Sequence, residues 1–196
     1  ARIEKIASGT AAMDNAWVAH CLNQLKQDDD ILVSESQLAL GNLSLRDPGS
    51  FFGTSPSGGL GWGLGASLGA KLGQKDKRVF CVVGDGSYMF GNPTPAHFVS
   101  AAYELPTLTV IMNNKMWGSV RKATLGLYPD GAASSSNQAP LTYLDPAPEY
   151  HKIVQASDGY GEEVSDPKDL QAALERGIKA VEVDKRQAVI NVHTTY

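Results

Sequence analysis

Val79-Phe80-Cys81-Val82-Val83-Gly84-Asp85-Gly86-Ser87 is an apolar, β-branched-rich run that stops at a carboxylate set between two glycines. A second run of the same kind, Leu108-Thr109-Val110-Ile111-Met112, stops at Asn113-Asn114. Short continuous apolar runs read as strands buried on both faces, the mark of a parallel sheet. The residues that end parallel neighbours gather along one edge of the sheet, the carboxyl edge, where ligands of open α/β folds bind. A carboxylate at one strand tip and carboxamides at the next can therefore meet. Hard oxygen ligands in that position suit Mg²⁺ holding a diphosphate.

The pattern on either side supports an α/β chain. Trp17, Val18, Cys21, Leu22 and Leu25 recur at helical spacing and predict an amphipathic helix over residues 14–27. Ile31-Leu32-Val33 is a short strand that ends in Ser34-Glu35-Ser36. The segment 53–65 is rich in Gly and Ser and passes into a small-residue helix through Lys71. A helix over 94–103 has Pro93 and Pro95 at its entry. Residues 122–148, with Gly-Ala-Ala-Ser-Ser-Ser and several prolines, read as a long irregular region, which in a compact domain is functional or mobile. A short helix over 150–157, a helix from Asp166-Pro167 to about 183 and a final strand over 188–192 complete the chain. Strands alternating with helices predict a three-layer α/β/α fold with a doubly wound, mostly parallel sheet.

Size and charge narrow the function. With 196 residues, 42% of them hydrophobic, residues 1–196 can bury one good core as a single domain. Seventeen basic against 21 acidic residues leave a net charge of −4, which gives no electrostatic case for nucleic acid or an anionic membrane. No apolar stretch is long enough to span a bilayer and no secretory signal opens the chain. Cys21 and Cys81 read as buried thiols rather than a disulfide, so the cytoplasm is the expected compartment. The chain opens at Ala1 on a polar lead-in over residues 2–10, as expected of the C-terminal part of a longer polypeptide.

Glycine on either side of Asp85 is expected to let the backbone turn sharply and approach a ligand. Ser87 follows as an anion donor at a helix-like entry. Taken alone, Gly-Asp-Gly is an ordinary turn, and Asn-Asn an ordinary Asn-rich one. Their coincidence at the same kind of sheet edge carries the functional reading.

In these features the sequence resembles the diphosphate-binding domain of the thiamine-diphosphate enzymes, among them acetolactate synthase and benzoylformate decarboxylase. The resemblance covers nearly the whole chain. It includes Ser34-Glu35-Ser36, Asp47-Pro48-Gly49-Ser50, the glycine stretch from Ser57 through Gly65, both strand-end signatures, and the closing helix and strand. It implies that Asp85 and Asn114 give side-chain oxygens, and Met116 its carbonyl, to Mg²⁺. Two diphosphate oxygens and a water complete the octahedron. Gly84, Gly86 and Ser87 lie against the diphosphate, and Trp117 and Gly118 close over it with backbone N–H groups. Gly58 offers its carbonyl to the cofactor's 4′-amino group. Leu60 is the apolar wedge that bends the cofactor so that this amino group reaches the thiazolium C2 at contact distance.

The resemblance further implies a 2-oxo acid substrate, a homo-oligomer, and a pyrimidine-binding domain of the same or a neighbouring subunit carrying the activating glutamate. The catalytic carboxylate is thus expected elsewhere, and this chain alone is expected to be inactive. Glu35 is expected at the surface or on the diphosphate side. Ser36 and Gln37 are diphosphate candidates, with plain helix capping as the alternative. Residues 88–95 and 119–125 depart from the family's usual spacing and composition, which leaves the substrate open. The alternatives are the small subunit of a two-chain decarboxylase, a binding module that has lost the chemistry, and a dinucleotide-binding domain built on Gly61-Trp62-Gly63-Leu64-Gly65-Ala66. The last lacks an unbroken strand before the glycines. His20, His97, His151 and His193 show no metal-ligand spacing.

Overall fold

A computed structural model describes residues 1–36, 38–53, 57–136 and 139–195. Among these residues six strands form one sheet: β1 (Ile31–Ser34), β2 (Phe51–Phe52), β3 (Val79–Gly84), β4 (Leu108–Asn113), β5 (Tyr160–Val164) and β6 (Ala188–His193). They lie in the order β2-β1-β3-β4-β6-β5. Every pairing is parallel. The expected parallel sheet is thus found, with no antiparallel strand among the described residues. The two central strands, β3 and β4, are the two runs that decide the fold.

Alternation along these strands feeds two cores. Phe80, Val82, Leu108, Val110 and Ile190 point to one face. There α1 (Arg2–Ala7), α2 (Asn15–Leu25) and α9 (Leu170–Glu182) cover them. Cys81, Val83, Ile111 and Val189 point to the other face and pack with Tyr88 and Tyr150. These belong to α4 (Asp85–Phe90) and α8 (Tyr150–Ile153). The same side carries α3 (Gly63–Gly73) and α5 (Pro93–Ala102). Both cysteines are buried and free. Among the described residues no helix is long and apolar enough to cross a membrane.

The structure corrects several expectations. The polar lead-in contains α1, anchored by Ile6, which is fully buried. Gly-Asp-Gly is no free-standing turn, because β3 passes straight into α4 at Asp85 with Gly84 at the cap. The region expected to be irregular begins inside α6 (Gly118–Leu127) and contains α7 (Ala132–Ser135). Two strands carry no strand pattern in the sequence. β2 is only two residues long, and β5, at the sheet edge, has the polar sequence Tyr-Gly-Glu-Glu-Val.

The chain leaves β1 for one side of the sheet and β3 for the other, so the order reverses between them. That is where an open parallel sheet forms a crevice at its carboxyl edge. Register sets Gly84 opposite Met112, and Asn113 opposite His193, so the polar tips of β3, β4 and β6 come out level.

Candidate functional site

The crevice is a cleft of about 530 Å³. Gly84, Asp85, Gly86 and Ser87 line it from the end of β3; Asn114, Met116, Trp117 and Gly118 line it from beyond β4. Ser36, Gly58 and Leu60 face it from the third side. The residues expected to hold the cation and the cofactor are therefore on one cleft, apart from Gln37, which lies outside the described residues.

Asp85 forms the floor. It is 1% exposed; Oδ1 accepts the Gly86 N–H at 2.9 Å, and Oδ2 is buried with no hydrogen-bond partner. Burial pushes its carboxyl up to about 6, with the nearby amides pulling the other way. A buried carboxylate oxygen with nothing on it is costly unless a cation or donor completes it. Alongside stands Asn114, whose Oδ1 accepts the Met116 N–H at 3.1 Å and keeps a second lone pair. Lys115 between them is left-handed, at φ 58°. The loop is clamped from outside: Trp117 N donates to the Thr142 carbonyl and Leu144 N to the Lys115 carbonyl, each at 2.8 Å. Arg121 stacks on Tyr143 in the same clamp, 5.2 Å from the ring centroid.

The glycines act differently from the expectation. Neither Gly84 nor Gly86 has a positive φ. A Cβ on Gly84 would meet only Ser87 Oγ, at 3.9 Å, so its bare face opens into the cleft. A Cβ on Gly86 would strike the Trp117 indole. Gly61 is the position that needs glycine twice over, with φ +83° and its α-carbon packed on Gly91.

Glu35 is not on the surface but lines the same cleft. It is 7% exposed and accepts the main-chain N–H groups of Gly61 and of Gly63, the latter at 2.6 Å. It pins the glycine-rich loop, which carries Gly58 and Leu60, to the tip of β1. Ser36 caps none of the described helices; its hydroxyl donates to Met112 Sδ at 3.4 Å. His97 lies outside the cleft, in a buried chain from Tyr88 Oη (2.6 Å) to Gln187 Oε1 (2.7 Å). Burial holds its pKa below the ordinary histidine value.

Sequence reasoning missed the far wall. Arg2 and Asp14, paired at 2.7 Å, and Asn15 come from the start of the chain. Ser119, Val120 and Lys122 come from α6, and Thr194 and Thr195 from beyond β6. The α6 entry carries a usable signal, since its first turn has no acidic residue and no side-chain cap and its residues line the cleft. The others carry no motif.

The residues present suit a divalent cation carrying a diphosphate: an unpartnered carboxylate oxygen, a neighbouring carboxamide, bare glycines and an uncapped helix entry all line one space. Comparison with known proteins bears on the diphosphate. Residues 33–192 match the family described as thiamine pyrophosphate enzyme, C-terminal TPP binding domain. The acetolactate synthase large subunit IlvG of Mycobacterium tuberculosis is 32% identical over 147 residues, 75% of this chain and 24% of that protein. A 2-hydroxyacyl-CoA lyase of Oryza sativa is 32% identical over 139 residues, 69% of this chain and 22% of that protein. The thiamine diphosphate-dependent 4-hydroxybenzoylformate decarboxylase of Rhodococcus jostii superposes with a TM-score of 0.80 at 26% identity, covering 95% of this chain and 33% of that one. The chain thus spans about a quarter of the length of the curated relatives it matches. It belongs to the thiamine pyrophosphate enzymes, as their C-terminal TPP-binding domain.

Proposed function

We propose that, as such a domain, the chain binds thiamine diphosphate through Mg²⁺ in this cleft. It would supply the diphosphate half of an active site that breaks or makes a carbon–carbon bond beside the carbonyl of a 2-oxo acid. The observation that carries this reading is Asp85 Oδ2, buried and unpartnered on the floor of the cleft.

Asp85 and Asn114 would give side-chain oxygens to the cation and Met116 its carbonyl. Ser87 and the amide at Gly118 would hold the diphosphate, with Gly84 and Gly86 beneath it and Ser36 at its side; the Trp117 N–H, expected to join them, is instead committed to the Thr142 carbonyl. Gly58 and Leu60 would lie along the middle of the cofactor. When bound, the cofactor supplies a nucleophilic carbon and an electron sink. The chain's own groups bind and orient. With its carboxyl near 6, Asp85 is ionised at neutral pH and ready for a cation. Glu35 keeps Leu60 and Gly58 at a fixed height above the floor. Leu60 presents apolar surface where water would otherwise compete.

A 2-oxo acid is supported by the likeness to a 4-hydroxybenzoylformate decarboxylase, and bond formation by the likeness to an acetolactate synthase. The activating carboxylate would come from a pyrimidine-binding domain of the same or a neighbouring subunit, in a homo-oligomer. Alone, the chain would turn over negligible substrate. Its buried free thiols fit a reducing, cytoplasmic setting.

Calorimetric titration of thiamine diphosphate with and without Mg²⁺, on the chain and on Asp85→Asn with NAD as control, tests the reading. Mg²⁺-dependent binding that Asp85→Asn abolishes is the expected result. Binding of NAD instead would overturn it.

A further inference from the structure

Asn191 stands in the apolar strand β6 between Ile190 and Val192, and all three are fully buried. Nothing in the metal-site reading uses it. A carboxamide in such a place needs partners, and its partners form a line from the sheet edge to the metal loop. Asn191 Nδ2 donates to Glu163 Oε1 of β5 at 3.1 Å. Asn113 Nδ2 donates to Asn191 Oδ1 at 3.1 Å. Lys115 N donates to Asn113 Oδ1, again at 3.1 Å. His193 Nε2 lies 2.7 Å from the same Glu163 oxygen. Register explains the line, because Asn191 is level with Glu163 and His193 with Asn113.

The two ends of this line are chemically one-way. A carboxylate only accepts and a main-chain N–H only donates. Each carboxamide between them is therefore oriented in one sense, with both NH₂ groups toward Glu163 and both oxygens toward Lys115. The Lys115 amide so held belongs to the left-handed residue between Asn114 and Met116. A turn of the Asn113 side chain would take that acceptor from the amide and loosen the Asn114–Lys115 peptide plane, while the next plane stays held through Leu144 N and Asn114 Oδ1.

We propose that Glu163 and Asn191, acting through Asn113, are positioning residues that fix the Asn114–Met116 loop in the conformation that accepts the divalent cation. The proposal rests on the metal-site reading above. Neither residue touches the metal; they set the direction of groups that do, as partners behind metal ligands commonly do.

The test uses Glu163→Leu, which breaks the line at an exposed strand position, and Glu163→Gln, which keeps an acceptor for Asn191 and adds a donor for His193. Glu163→Thr, strand-favouring and too short to reach Asn191, is a second break should Glu163→Leu not fold. Two readouts are taken: NMR hydrogen exchange of the Lys115 amide in the metal-free chain, and Mg²⁺ affinity at saturating thiamine diphosphate. In Glu163→Leu, exchange at Lys115 is expected to accelerate, and Mg²⁺ affinity to fall by about tenfold. Glu163→Gln should stay near wild type in both. Wild-type exchange and wild-type Mg²⁺ affinity in Glu163→Leu would overturn the proposal. So would equal losses in Glu163→Gln, since charge alone would then be acting. A wild-type chain that binds no Mg²⁺ with thiamine diphosphate would instead overturn the metal-site reading beneath it.

Discussion

The indole of Trp117 occupies the space that a Cβ on Gly86 would need: the added atom would sit 2.5 Å from Cε3 and 2.8 Å from Cζ3. The two residues come from different strand ends and meet at the cleft floor. Each therefore sets the other's position, and with it the height of the Asp85 carboxylate relative to Met116.

Gly86→Ala should accordingly push the indole outward and tilt the Met116–Gly118 turn. Overpacking of this kind costs about 1–3 kcal/mol, and the ligand affinity should fall as well. Replacing Trp117 by Leu in the same chain makes room for the methyl. The double variant should regain stability relative to Gly86→Ala, which paired denaturant titrations would measure. Strictly additive losses would show that the contact does not couple the two strand ends.

Asp85 gives the metal-free chain a distinct pH response. Its folded pKa, about 6, lies above its ordinary value of 3.8 because it is buried. The folded state thus binds the extra proton, and the associated stability is fully present below about pH 4 and lost as pH rises through 6. A shift of that size corresponds to roughly 3 kcal/mol. His97 works in the opposite sense, since its lowered pKa favours the fold above its ordinary value and is a cost in acid. Comparing Asp85→Asn with wild type cancels the histidine. In the presence of a chelator the variant should melt higher than wild type at pH 8 and about equally at pH 4, while failing to bind Mg²⁺. An identical pH dependence in both proteins would remove Asp85 as the source.

Much of this was legible because β3 and β4 are buried on both faces and must be apolar to their tips, which makes Asp85 and Asn113-Asn114 stand out. β5 was not legible. As an edge strand it carries Glu162 and Glu163 toward solvent, and Gly161 is glycine because the His151 carbonyl lies against it. Asn191 was visible as a polar interruption of β6, but its meaning depends on Glu163, a residue of a strand the pattern did not reveal. Glu35 was likewise visible at a strand tip. Which way it turned depends on the glycine loop, whose amides have no partners until the chain folds back on them. The Arg2–Asp14 wall had no local signal, since tertiary packing alone carries the start of the chain to the cleft.

Glu35 yields a third prediction. Its carboxylate serves two main-chain donors at once, Gly61 and Gly63. Glu35→Ala leaves both amides without that partner, at about 1.5–3 kcal/mol for each bond to a charged group. Glu35→Gln can satisfy one of them and turns an NH₂ group on the other. Both variants should bind thiamine diphosphate more weakly at saturating Mg²⁺, because Gly58 and Leu60 ride on the freed loop, whereas the metal loop is untouched. Isothermal titration separates these effects. Unchanged cofactor affinity in folded Glu35→Ala would mean that the loop holds its position without the carboxylate.

The opposite end of the sheet offers a contrast in which stability and binding come apart. Asp30 and Arg78 immediately precede β1 and β3, and they pair through two bonds, Nε to Oδ1 at 2.8 Å and Nη2 to Oδ2 at 2.6 Å. Their side chains are 2% and 12% exposed, so the guanidinium is the main balance for a buried charge. Arg78 also donates to the Leu25 carbonyl at 3.1 Å, tying the end of α2 to the same corner. Removing one partner of such a pair strands the other and costs about 3–5 kcal/mol. Arg78→Met should therefore lower the denaturation midpoint strongly. Adding Asp30→Asn should return part of the loss, because the uncompensated charge goes with it. Yet the pair sits at the amino edge and the cleft at the carboxyl edge of the same strands. Mg²⁺ and thiamine diphosphate affinities, measured well below the melting transition, should match wild type in both variants. A parallel fall in affinity would show that strain at one end of β3 is transmitted along the strand to Asp85, and that the two edges of the sheet are not independent.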